Sequence, residues 1–210
     1  MTRIIDISWP ISSTMTSYKN NKPVIFTQTR TIETGGMRET NIIINTHTGT
    51  HVDAPSHKLT AGKTIDQLPL ESLIGPAVVI DLSHINEAIT EQDLQPHTIN
   101  AGEIVLLKTK NSQFAPDAPF VVDFVYLAAS GVAFLIKLNV KAVGIDYLGI
   151  ERNSPNHETH TMLLAQEMPI IEGLRLDHVT AGRYECICLP IPVIGLEAAP
   201  ARAILKDFSK

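Results

Sequence analysis

Between residues 47 and 57 the chain reads His-Thr-Gly-Thr-His-Val-Asp-Ala-Pro-Ser-His. Three of its eight histidines fall in this short run, with one aspartate among them. His47, His51 and Asp53 offer imidazole nitrogens and a carboxylate, the donor set that suits a divalent transition ion such as Zn, Mn or Fe(II). A calcium or magnesium site would show oxygen ligands almost alone. A single histidine beside a strand is ordinarily a hydrogen-bonded structural residue. This many ligand types in so few residues point instead to coordination.

More ligands must come from elsewhere in the chain. His160 sits in Asn156-His157-Glu158-Thr159-His160, and Glu172 ends the apolar run Pro169-Ile170-Ile171. A carboxylate at the end of an extended apolar segment is costly to bury unless something pairs with it. A metal would do so; a solvated strand end is the equal alternative. His157 competes with His160, because residues three apart on a helix share roughly one face. Asp146 follows Val143-Gly144-Ile145. It either orients a ligand histidine or lines the pocket, or it is an ordinary turn acid. His84, His97 and His178 lie in polar text and carry no assigned role.

The elements that position these groups are mostly strands. Thr40-Asn41-Ile42-Ile43-Ile44-Asn45 has a β-branched centre and predicts a strand leading into the metal stretch. Gly49 and Pro55 then argue for a tight loop rather than a helix. Further strands are expected over residues 3–8, 24–33, 76–82, 103–109, 142–146, 184–190 and 191–194, followed by a tail with little periodicity. Helices are expected over 123–138 and 156–166, and one starts at Thr90 as cap. Loops fill 15–23, 58–70 and 110–119. Strands outnumber helices without strict alternation, and no repeat or linker is visible. The fold class is α/β, a single domain over residues 1–210 with a mixed or barrel-like sheet and flanking helices.

The string His-x-Gly-Thr-His-x-Asp-x-Pro-x-His resembles the signature of the cyclase family, which includes bacterial kynurenine formamidases and isatin hydrolases. The likeness covers nearly the whole chain. Asp6-Ile7-Ser8-x-Pro10-Ile11 is similar to the family's opening motif. The Thr-His-x-x-Leu-Leu text around His160 and the Pro-Ile-Ile-Glu-Gly-Leu text around Glu172 also look like the family's, at its separation of twelve positions. The resemblance implies a swivelling β/β/α fold and a centre of two zinc ions per subunit, with manganese as the alternative. It assigns His47, His51, Asp53 and Glu172 to one ion, and Asp53, His160 and Glu172 to the other, both carboxylates bridging. It prefers His160 to His157 and makes His57 the proton donor and acceptor. It also implies a homo-oligomer, dimer or tetramer. The chain departs from the formamidases at Tyr18, where they carry a substrate-contacting tryptophan, and it lacks their nearby Pro-Gly. Tyr18 is the expected substrate contact, and the departure bears on substrate choice rather than on hydrolysis.

Composition removes other classes. A net charge of −5 and no Lys/Arg cluster give no support to nucleic-acid binding. No stretch has the length to span a membrane. The opening Met1-Thr2-Arg3-Ile4-Ile5-Asp6 breaks its apolar run with charge, unlike a secretory leader, so the expected location is the cytoplasm. Cys186 and Cys188 are too close to pair and are expected as buried free thiols. No Gly-x-Ser-x-Gly elbow supports serine hydrolase chemistry.

The resemblance implies a metal-dependent hydrolase of a small aryl formamide or cyclic amide. The resemblance puts kynurenine formamidase first, converting N-formylkynurenine to kynurenine and formate, and an isatin-hydrolase-like ring opener second. A metal pair lowers the pKa of water and polarises a carbonyl, and His57 can carry the proton to the leaving amine. A non-catalytic metal-binding domain is the alternative of another class, and it has no use for a proton shuttle.

Overall fold

The computed structural model describes residues 3–20, 23–152 and 154–207. Asn21 and Lys22 of the loop expected over 15–23, and the last three residues of the tail, lie outside them. In chain order the elements are β1 (Arg3–Asp6), β2 (Ile25–Arg30), α1 (Ile32–Gly35), β3 (Glu39–Ile43), β4 (His51–Asp53), β5 (Ile74–Asp81), β6 (Ala88–Ile89), α2 (Glu91–Leu94), β7 (Ile104–Lys108) and β8 (Tyr126–Leu127). Then come α3 (Ala129–Lys137), β9 (Ala142–Ile145), α4 (Glu158–Ala165), β10 (Ile170–Glu172), β11 (Gly182–Pro190) and β12 (Ala198–Asp207).

Seven of these strands close into a ring, in the order β12, β11, β5, β7, β9, β10, β4 and back to β12. β5, β7, β9 and β10 run parallel, and the other junctions of the ring are antiparallel. β1 pairs with the C-terminal half of β12. The sequence dictates the two faces by its period of two. On β5, Ala77 and Val79 join a core to which all seven ring strands contribute, the barrel interior. Val78 and Ile80 join a second core outside, with Leu94, Val132, Leu135 and Leu163 from the helices. Cys186 and Cys188, two apart on β11, both face the interior as free thiols.

Several expectations are corrected. The tail after 194 holds the ten-residue strand β12, whereas residues 191–194 are not a strand. Ala198-Ala199-Pro200-Ala201 has little intrinsic strand preference. It is extended because β4 and β11 pair with β12. The helix expected over 123–138 is confined to α3, because Tyr126 and Leu127 are used in a short pairing with β6. The strand predicted from Thr40 forms as β3 but pairs only with β2 among the described residues. Every residue of these two strands is exposed, including Ile25 opposite Ile43 and Phe26 opposite Ile42. Among the described residues no helix is long and apolar enough to cross a membrane.

Candidate metal centre

Strand alternation orients the first groups. Val52 of β4 and Ile171 of β10 point into the barrel. His51, Asp53 and Glu172 alternate with them and therefore face outward. The register sets Glu172 directly opposite His51. The approach to β4 is shaped by two glycines. Gly49 (φ +61°) and Gly173 (φ +70°) both adopt the left-handed conformation, and a Cβ on Gly173 would fall 2.2 Å from the Gly49 carbonyl oxygen. Only glycine permits this crossing. Thr50 Oγ1 donates to Gly173 O at 2.5 Å, so the loop and the Glu172 strand are stitched beside the site.

Residues far apart in sequence converge here. His47 Nδ1 lies 2.9 Å and His51 Nε2 3.6 Å from Asp53 Oδ1, while His160 Nε2, brought in on α4, lies 3.6 Å from Asp53 Oδ2. Glu172 divides in the same way. Its Oε2 is 3.3 Å from His51 Nε2 and its Oε1 is 3.3 Å from His160 Nε2. Asp53 thus turns one oxygen to His47 and His51 and the other to His160, and Glu172 turns one to His51 and the other to His160. His57 ends the short turn Pro55–His57, with its ring 4.6 Å from that of His47 and 5.5 Å from that of His160.

A divalent ion fits this arrangement. His51 Nε2 and both Asp53 carboxylate oxygens are buried without a hydrogen-bond partner. The His47 approach to Asp53 is close but out of line for a hydrogen bond. Buried polar atoms left this way are costly and rare, and coordination would satisfy all three. His51 Nδ1 lies 2.9 Å from Gly49 O, a carbonyl that only accepts, so in the neutral ring Nε2 keeps its lone pair. Burial opposes charge on every group here, but opposite charges outweigh it. His51 is raised, Asp53 is lowered and Glu172 is well below the usual carboxylate range. Burial alone would depress His160, yet Glu151, Glu172 and Asp53 together lift it to about 10. For His57 burial prevails, helped by His47 and His160, and the ring falls to about 4.

The centre lies on a cavity of about 710 Å³ that is also lined by Tyr18, Phe120, Phe124 and Leu148. Tyr18 meets Phe120 edge-on at 4.9 Å. Burial, and then the charges of Glu172 and Glu151, raise its phenol. His157 caps α4 in a left-handed conformation (φ 48°), and its half-exposed ring contacts Glu151 rather than Asp53 or Glu172. Of the two readings of Asp146, the strand-end acid that fastens a turn is the one met, and it neither orients a histidine nor lines the pocket. It is fully buried and accepts from the backbone N–H and hydroxyl of both Thr109 and Ser112, fastening that turn to β9. Burial, only partly offset by those hydrogen bonds, raises it to about 6.

Two acids escaped sequence reasoning. Glu151 lies 3.0 Å from His160 Nδ1, and Glu197 lies 3.4 Å from His47 Nε2. Neither stands in a metal-ligand spacing. The one signal for Glu151 is its place directly after the apolar Leu148-Gly149-Ile150.

Residues 5–152 match the Cyclase family. A kynurenine formamidase from Salinibacter ruber is 33% identical over 207 residues, covering 97% of each chain. A solved structure described as a predicted metal-dependent hydrolase, from Bacillus stearothermophilus, superposes with a TM-score of 0.88 at 38% identity, covering 99% of each chain. Isatin hydrolase A from Ralstonia solanacearum shares the fold, with a TM-score of 0.86 at 22% identity over 98% of this chain and 92% of that one.

Proposed function

The chain belongs to the cyclase family, and from that premise we propose that it is a metal-dependent hydrolase of a small aryl formamide, with N-formylkynurenine as substrate and kynurenine and formate as products. The observation that carries this reading is the shared division of Asp53 and Glu172 between His51 and His160, on a cavity that aromatic side chains also line. In this reading His47, His51, Asp53 and Glu172 hold one zinc ion, and Asp53, His160 and Glu172 hold a second, with manganese as the alternative metal. Bound there, such ions supply a polarised carbonyl and water of lowered pKa.

The chain's own residues do the rest. Tyr18, Phe120 and Phe124 seat the aryl ring and exclude water from one side. His57, neutral at working pH, takes the proton released as water adds to the formyl carbon. It returns that proton to the amine nitrogen as the C–N bond breaks.

Turnover of N-formylkynurenine and of isatin by zinc- and manganese-loaded protein tests the assignment. Rapid formate release from the first supports it. Inertness toward N-formylkynurenine with ring opening of isatin replaces it with the second reading.

The proposal extends to residues 1–210 as one domain, in the cytoplasm, and to a homo-oligomer. The exposed apolar hairpin of β2 and β3 supports the last point, since an isolated two-stranded ribbon is marginally stable in water. Light scattering that gives a monomer at working concentration overturns it.

A further inference from the structure

Building on the two-ion reading above, we propose that Glu151 is a positioning residue, which fixes the ring of His160 so that Nε2 faces Asp53 and Glu172 and thereby sets the affinity of the ion on that side. Glu151 is buried in the connection between β9 and α4. Its Oε1 lies 3.0 Å from His160 Nδ1, in contact though out of line for a hydrogen bond, and its Oε2 accepts the backbone N–H of His160 at 3.2 Å. The same Oε1 is 2.5 Å from His157 Nδ1. An ionised carboxylate can only accept hydrogen bonds. A neutral His160 therefore keeps its hydrogen on Nδ1 and offers the Nε2 lone pair to a metal.

The adjoining residue ties this support to the other side of the centre. Ile150 N donates to Glu172 Oε1 at 2.6 Å. Glu151 is thus joined to one candidate ligand through its side chain and to another through its backbone neighbour. Glu151, His157 and His160 are also close enough to one another to hold an ion of their own. That use would require His160 to lose both ring hydrogens while Nε2 is coordinated, so the positioning role is the one the geometry favours.

The test is a zinc titration against a competing chelator, using metal-stripped wild-type protein, Glu151→Ala and Glu151→Gln. Nitrogen-15 spectra of the loaded, histidine-labelled proteins accompany it. Glu151→Ala is expected to weaken one of the two ions, that on the His160 side, by about 10–100-fold. Glu151→Gln, whose amide oxygen can accept from Nδ1–H, is expected to recover most of that loss and to keep the Nδ1–H tautomer of His160. A Glu151→Ala titration that overlays wild type overturns the proposal. So does a Glu151→Gln protein as impaired as the alanine variant. If wild type takes up a single ion, the two-ion reading fails by itself, and the Glu151 comparison is decided on that ion by the same criteria.

Discussion

Across the centre, His47, His51, Asp53 and His57 come from one run of chain, whereas Glu151, His160 and Glu172 come from a loop, a helix and a strand. The first group surrounds β4, whose two edges are held by backbone ladders to β10 and β12. Of the second group, Glu172 shares the ladder between β10 and β4, whereas Glu151 and His160, on a loop and a helix, are tied to the centre largely by side chains, through Glu151 to His160 and Glu172 to Ile150. Backbone ladders hold in any protonation state. Side-chain ion pairs hold only while both partners keep their charges, so the remote half is expected to be the more sensitive to pH and to single substitutions.

The largest effect tests whether the halves share a residue at all. Asp53 turns one oxygen to each side, so Asp53→Ala is expected to abolish both metal uptake and hydrolysis. Metal analysis after dialysis checks it, and an Asp53→Ala protein that keeps either ion at wild-type affinity would separate the halves. Next comes His57→Ala, expected to lower turnover by about 10²–10⁴ while metal content stays at the wild-type value. Unchanged turnover with metal bound removes the shuttle from the mechanism.

A smaller effect probes the seam between the halves. Gly173→Ala would press a Cβ against Gly49 O in a left-handed backbone. It is expected to cost about 2–4 kcal/mol in denaturant unfolding. Gly102, with φ +76° and nothing near its Cβ position, is the control, and Ala there is expected to cost about 1 kcal/mol. Equal costs at the two positions would show that the crossing contributes no strain of its own.

The smallest effect is in pH. Burial disfavours the His160 cation, but the carboxylates of Glu151, Glu172 and Asp53 raise the ring to about 10. A base raised on folding contributes stability that is whole below its unfolded pKa, about 6.5, and is lost as pH climbs through the folded value. Metal-stripped protein is therefore expected to lose a few degrees of melting temperature between about pH 6.5 and 10, and His160→Gln to flatten that slope. A slope unchanged by His160→Gln would assign it to other groups.

His47, His51, Asp53 and His57 were legible in the sequence because a loop beside a short strand keeps neighbours in sequence neighbours in space. The buried strands β5, β7 and β9 were legible from their apolar runs. β12 was not, since its alanines and proline acquire extended geometry from their partners. Asp146 and Glu151 show the limit at the site. Both are acids following apolar text near the same strand end, and one fastens a turn while the other meets a histidine.

The sequence alone determined the donor chemistry, the alternation that sorts inward from outward residues, and the glycines that allow a close crossing, because these are properties of residue type and short spacing. Tertiary structure alone decided which carboxylate stands beside which imidazole, and that the aromatic side chains of Tyr18, Phe120 and Phe124 line the same cavity. Such pairings depend on strand order and ring closure, and these are set by the sum of many weak contacts over the whole barrel rather than by any local run of residues.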